Sequence, residues 1–144
     1  MPATNATLHV AEHPLLPHLL PEARKSSTTP PMFRQFLRQI GSLLAYEATR
    51  DLKLDAVKID TPLEPVTGKR LSRPVTVVPI LRAGLGMAEG VVNLIPEARV
   101  GHLGMFRDEA ELRPVSYYDK MPADVHEGPV LVVDPMLATG GSAA

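Results

Sequence analysis

VTVVPILRAGLGMAEGVVNLI (residues 75–95) decides the fold class. Its first six residues, VTVVPI (75–80), are a continuous, mostly β-branched run, the pattern of a strand buried on both faces of a parallel sheet. GLGMAEGVVNLI (84–95) then reads as a helix. Two further strand patterns follow. RVGHLGMF (99–106) is the second, and PVLVV (129–133) is the third, buried like the first. DEAELRPVSYYDKMP (108–122) lies between them as an excursion with hairpin character. Strand, helix, strand, excursion and strand predict an α/β fold with a parallel sheet and helices on its faces.

Upstream of this unit, apolar residues recur at Phe33, Phe36, Leu37, Ile40, Leu43, Leu44, Ala48 and Leu52, which predicts a helix over about 31–53. Thr29 is placed to cap it, and Pro30 suits its first turn. Gly41 within it costs about 1 kcal/mol against alanine, which a close helix contact would justify. Residues 55–74 alternate weakly and carry Pro62 and Pro65, so they read as short edge strands and turns. The first 31 residues hold six of the 15 prolines and read as an irregular arm with at most short helices.

The 144 residues suit one domain, with apolar residues at 44% and a net charge of -1. No basic excess points to nucleic acid or an anionic membrane, so neither is an expected partner. The chain has no cysteine, and its N-terminus lacks the basic and apolar regions of a signal peptide. A reducing, cytoplasmic setting is therefore expected.

Ligands of open parallel sheets bind outside the carboxyl ends of the strands. There the three strands deliver Arg82, Arg107 and Asp134, the last followed by PMLATGGS (135–142). ATGGS (138–142) can aim successive backbone N–H groups at one anion, with Gly140 and Gly141 allowing close approach. Thr139 and Ser142 add hydroxyl donors. Asp134 is a poor neighbour for phosphate but a good acceptor for sugar hydroxyls, and the arginines can neutralise a second anionic group. The set suits a ligand with a ribose and two anionic groups. An ordinary strand, turn and helix start, with a fold-stabilising Asp134, accounts for the same residues about as well. The GxxxxGK[ST] phosphate loop is absent. GLGMAEG (84–90) departs from the dinucleotide fingerprint at Glu89 and reads as a tight strand-to-helix turn.

VVDPMLATGGS (132–142) resembles the phosphoribosyl diphosphate (PRPP) loop of the type I phosphoribosyltransferases, in the form found among uracil phosphoribosyltransferases. Most type I members carry two adjacent acids after the strand, whereas the second position here is Pro135. HPLLPHLL (13–20), FRQFLRQIGSLLAYEATRDL (33–52), VTVVPILRAGLGMAEGV (75–91) and HLGMFRDEAELRPVSYYDKMP (102–122) are similar to that family's successive segments, in order. The resemblance covers nearly the whole chain. It implies a type I phosphoribosyltransferase-like sheet, incomplete at the C-terminus, and a pentosyltransferase that joins uracil to PRPP to give UMP and pyrophosphate with Mg²⁺.

The resemblance assigns Arg82 and Arg107 to the pyrophosphate side. It assigns Asp134 to the ribose hydroxyls, with a catalytic role in stabilising charge on the ribose. Pro135, Met136 and Leu137 continue the PRPP loop, and Ala138, Thr139, Gly140, Gly141 and Ser142 surround the 5-phosphate. Mg²⁺ would be held mainly by PRPP oxygens and water rather than by a set of side chains. Residues 55–74 would be a dimer arm and 108–122 a flap. The family also implies a homo-oligomer and, in some members, activation by GTP. Its uracil site lies in a C-terminal segment with a Gly-Asp-Ala motif that this chain does not contain, so the expectation is a fragment of a longer enzyme. The alternatives are an RNA-binding regulator on the same fold and a non-catalytic assembly fragment.

His9 and His13 are read as loop histidines, and His102 as a packed strand residue. Tyr117 and Tyr118 suit hairpin or dimer packing, and Asp108 to Glu111 a solvated turn.

Overall fold

The computed structural model describes residues 8–107 and 114–136. In chain order its elements are α1 (Leu15–Arg24), α2 (Pro30–Ala48), β1 (Leu54–Asp60), β2 (Pro65–Leu71), β3 (Thr76–Leu81), α3 (Leu85–Leu94), β4 (Arg99–Val100), β5 (His102–Arg107), β6 (Pro114–Lys120) and β7 (Val130–Val133). A single turn of 3-10 helix, Val125–Glu127, precedes β7.

Strand β3 is the axis, and Thr76 to Ile80 are all buried. It pairs in parallel with β4, β5 and β7. Strands β4 and β5 are two halves of the second expected strand, parted at Gly101. On the other side of β3, Thr76 through Pro79 face Val130 through Val133. Strand β6 runs antiparallel on β5. The parallel sheet read from the sequence is therefore present, with one antiparallel edge.

The core forms where Val77 of β3 meets Ala88 and Val91 of α3 and Ala45 of α2, with Leu131 and Val133 of β7 packed against them. The close approach of α2 and α3 explains Gly41. A Cβ there would lie 2.7 Å from the Met87 carbonyl oxygen, and one on Gly90 would strike the Arg38 carbonyl. Ser42 Oγ donates to the Gly90 carbonyl across the same crossing at 2.8 Å. Helix α1 docks on α2 through Leu16, Ala23 and Ile40. The short helix that the proline-rich N-terminal segment allows is thus present and packed.

Other expectations shift. Helix α2 stops at Ala48, not near residue 53. Thr49 Oγ1 donates back to the Ala45 carbonyl at 2.7 Å, and the Lys53 carbonyl already accepts from Ser72 N at 3.0 Å in the next ribbon. Thr29 occupies the N-cap position, but its side chain makes no capping hydrogen bond. Pro30 and Pro31 follow it, so two of the first-turn N–H donors do not exist. The third strand is only half-buried, because Val130 and Val132 are 42% and 54% exposed. They alternate with Leu131 and Val133, so they point away from α2 and α3. Within the expected 108–122 excursion, β6 pairs antiparallel with β5, in keeping with the hairpin character read there.

Strands β1 and β2 form a two-stranded ribbon in register from Leu54 opposite Leu71 to Asp60 opposite Pro65. Its tip is held by Thr61 Oγ1, which donates to the Glu64 carbonyl at 2.7 Å. Leu63 at the tip is 96% exposed. Among the described residues no helix is long and apolar enough to cross a membrane.

Candidate functional site

The carboxyl ends of β3, β5 and β7 deliver Arg82, Arg107 and Asp134 to one rim, as the sequence predicts for a parallel sheet. The first and third are brought together by a glycine. After β3 the chain turns at once: Gly84 N donates to the Ile80 carbonyl at 2.9 Å and Leu85 N to the Arg82 carbonyl at 3.3 Å. A Cβ on Gly84 would collide with the Val133 carbonyl and lie 2.8 Å from Ile80 N. The turn carrying Arg82 is therefore seated on the residue that precedes Asp134, and only glycine fits. The peptide bond between Leu81 and Arg82 is cis.

Arg82 is exposed, whereas Asp134 is half-buried. Asp134 Oδ1 accepts a hydrogen bond from Met136 N at 3.3 Å, a local turn that bends the chain over the strand end. Met136 is 75% exposed there. Leu81 pairs with Gly104, so β5 runs three residues past that pair and its last residue, Arg107, lies about 10 Å farther out. Leu137, Ala138, Thr139, Gly140, Gly141 and Ser142 lie outside the described residues, as do Asp108 to Glu111.

Chemically, the strand ends carry two arginines and one carboxylate at successive positions along one edge of the sheet. An anion is favoured next to the arginines and disfavoured next to Asp134, which suits a ligand with separated anionic and hydroxyl-bearing parts. Among the described residues no group of three or more His, Asp or Glu side chains gathers to hold a metal. One rim carboxylate fits a divalent cation that arrives on its ligand's own oxygens and keeps its water.

The remaining candidates have structural explanations. His13 Nδ1 accepts from Leu15 N at 3.2 Å and so satisfies a donor at the start of α1. Glu89 faces Arg38 at 3.4 Å on the surface of α3. The Tyr117 ring packs over Gly104 and stands 6.2 Å from Phe106. Gly84 is the site residue that sequence reading passed over. Its only signal is a glycine at the last position before a helix that follows a strand without a linker. An open cavity of about 1110 Å³, lined by Lys53, Ser72, Arg73 and Pro129 among others, sits at the opposite ends of the parallel strands.

The profile of the uracil phosphoribosyltransferase family matches residues 10–144. Proteins named uracil phosphoribosyltransferase are similar along nearly the whole chain. The one from Macrococcus caseolyticus is 56% identical over 139 residues, covering 96% of this chain and 66% of the relative. The one from Listeria innocua is 50% identical over 139 residues, with the same coverage of both. Among solved structures, the AQ2163 protein from Aquifex aeolicus superposes with a TM-score of 0.86 at 37% identity, covering 92% of this chain and 64% of that one. The chain spans about two thirds of the length of these relatives. By profile and by sequence, it belongs to the uracil phosphoribosyltransferase family.

Proposed function

We propose that the chain carries the PRPP-binding half of an enzyme that transfers a phosphoribosyl group to uracil, releasing pyrophosphate and forming UMP. The observation that supports this reading is the seating of the Arg82 turn on Val133, which brings the turn that holds Arg82 against the end of β7, where Asp134 follows. The relatives' shared name supports the reaction and its two substrates.

In this reading Arg82 and Arg107 hold the pyrophosphate of PRPP, and Asp134 accepts hydrogen bonds from the ribose hydroxyls. The bond from the anomeric carbon to pyrophosphate breaks as the bond to uracil N1 forms. Pyrophosphate leaves with the electron pair, and the N1 proton passes to solvent. Positive charge builds on the ribose and negative charge on the leaving group. In this reading the arginines stabilise the second, and Asp134 stabilises the first. Mg²⁺, carried by PRPP oxygens, supplies further charge neutralisation. The backbone of residues 138–142 receives the 5-phosphate. The choice of uracil rests on the relatives' shared name.

Self-association belongs to the same proposal. Among the described residues the β1–β2 ribbon pairs only with itself, and it exposes Leu54, Ile59, Leu63 and Val66. An isolated two-stranded ribbon is marginal in water, and contact with a second copy would stabilise it. A cytoplasmic location fits a chain without cysteine. Activation by GTP rests on the family alone.

Calorimetric titration of PRPP with Mg²⁺ into the chain tests the reading. Saturable binding, displaced by pyrophosphate and by ribose 5-phosphate, is the expected result. Heat no greater than dilution would overturn it.

A further inference from the structure

We propose that the segment Tyr117–Asp124 is a clasp that fixes the register of the strand ending in Arg107. Gly104, Arg99 and Asp124 are then positioning residues for the pyrophosphate end of the ligand. This rests on the PRPP reading above.

The need for a clasp follows from the ladder. Strand β5 pairs with β3 at only two positions, Ile80 with Leu103 and Leu81 with Gly104. Met105, Phe106 and Arg107 overrun β3, and their partners among the described residues are Ser116, Val115 and Pro114 of β6. The last of these lacks an N–H, so it cannot donate to the ladder. The position of Arg107 is therefore set by how β6 grips β5, not by the central strand.

Three contacts provide the grip, and one of them, at Gly104, leaves no room for a side chain. At the start of β4, Arg99 forms an ion pair with Asp124, and its buried Nη1 has no other partner among the described residues. At Gly101, a Cβ would lie 2.6 Å from Met121 Sδ and 3.3 Å from Val78 Cγ2. At Gly104, a Cβ would lie 2.7 Å from the Tyr117 ring and 2.8 Å from Tyr118 Cβ. Gly101 lies in the break between β4 and β5 and Gly104 lies within β5, so the returning chain meets this stretch at two points.

The third contact is a β-bulge. Met105 pairs with Ser116 and Gly104 with Tyr118, which leaves Tyr117 as the extra residue. Both tyrosines then crowd over the one glycine. A slip of one residue would bring Leu103 or Met105 beneath them and turn every side chain to the wrong face. The grip thus selects one register. A bulge also bends and twists its strand, which sets the direction in which the strand end leaves the sheet. The chain has only three phenylalanines and three tyrosines, and Phe106, Tyr117 and Tyr118 gather here although each is exposed.

Calorimetry with two ligands separates positioning from stability. PRPP carries the pyrophosphate, and ribose 5-phosphate lacks it. Gly104→Ala, Tyr117→Ala and Asp124→Ala are each titrated with both, and their melting temperatures are recorded. The expected result is a loss of PRPP affinity of about tenfold or more, since small misplacements of a binding group are costly. Ribose 5-phosphate affinity stays unchanged, and the charge-swapped Arg99→Asp/Asp124→Arg protein recovers PRPP affinity relative to Asp124→Ala. If Gly104→Ala does not fold, the other two variants carry the test. Equal losses for both ligands, or no loss for either, would overturn the clasp. A wild-type chain that binds neither ligand would instead overturn the PRPP reading, and the clasp's role with it.

Discussion

Replacing Gly41 by alanine separates two opposing effects whose sizes can be worked out. In an exposed helix, alanine is favoured over glycine by about 1 kcal/mol. Here the new Cβ would lie 2.7 Å from the Met87 carbonyl oxygen and 2.8 Å from Met87 Cα, both backbone atoms of the facing helix. Backbone cannot rotate away, so α2 and α3 must part by roughly 0.5–1 Å to reach ordinary contact. A gap of that size forfeits a quarter to a half of each lost dispersion contact along the crossing, and overpacking of this kind costs about 1–3 kcal/mol. It also stretches the hydrogen bond from Ser42 to Gly90, now 2.8 Å, whose net worth is about 1 kcal/mol. The net expectation is a loss of about 1–2 kcal/mol despite the better helix former. Urea denaturation should show a lower midpoint with an unchanged slope. Thermal melting should fall by about 2–4 °C for each kcal/mol. A Gly41→Ala protein more stable than wild type would refute the reasoning, because it would mean the crossing is loose.

Three other outcomes follow from the same packing. Val77→Ala empties a fully buried position between α2, α3 and β7 and should cost about 2–3 kcal/mol in denaturant titration. Gly84→Ala drives a Cβ into the Val133 carbonyl, so PRPP affinity should fall by about a hundredfold in calorimetry as the Arg82 turn lifts off. Leu63→Asp alters a 96% exposed tip and should change monomer stability by less than about 0.5 kcal/mol, while lowering the apparent mass in sedimentation if the ribbon meets a second copy.

Much of the fold was legible because its signals are local and repeated. The run from Val75 to Ile80 needed no context to read as a central strand, and residues 33–48 kept helical spacing throughout. The errors fell where tertiary contacts override a local pattern. Leu52 continues the helical spacing of α2, yet Lys53 is already tied to Ser72 in the next ribbon. Val130 and Val132 carry the same apolar signature as Val77, but periodicity cannot report whether anything lies above a strand face. Of the candidate site, Arg82 and Asp134 were readable as residues that follow strands. That the turn holding Arg82 seats on the end of β7 was not, because it depends on the Cβ that Gly84 lacks. The bulge at Gly104 was equally hidden, since no rule of alternation announces which residue of a strand will be extra.

A crystal structure of the chain grown with PRPP and Mg²⁺ tests the central claim most directly. The account predicts density at the carboxyl ends of β3, β5 and β7, with pyrophosphate beside Arg82, ribose hydroxyls at Asp134 and the 5-phosphate on residues 138–142. Density at the opposite ends of the strands, in the cavity of Lys53, Ser72 and Arg73, would contradict it.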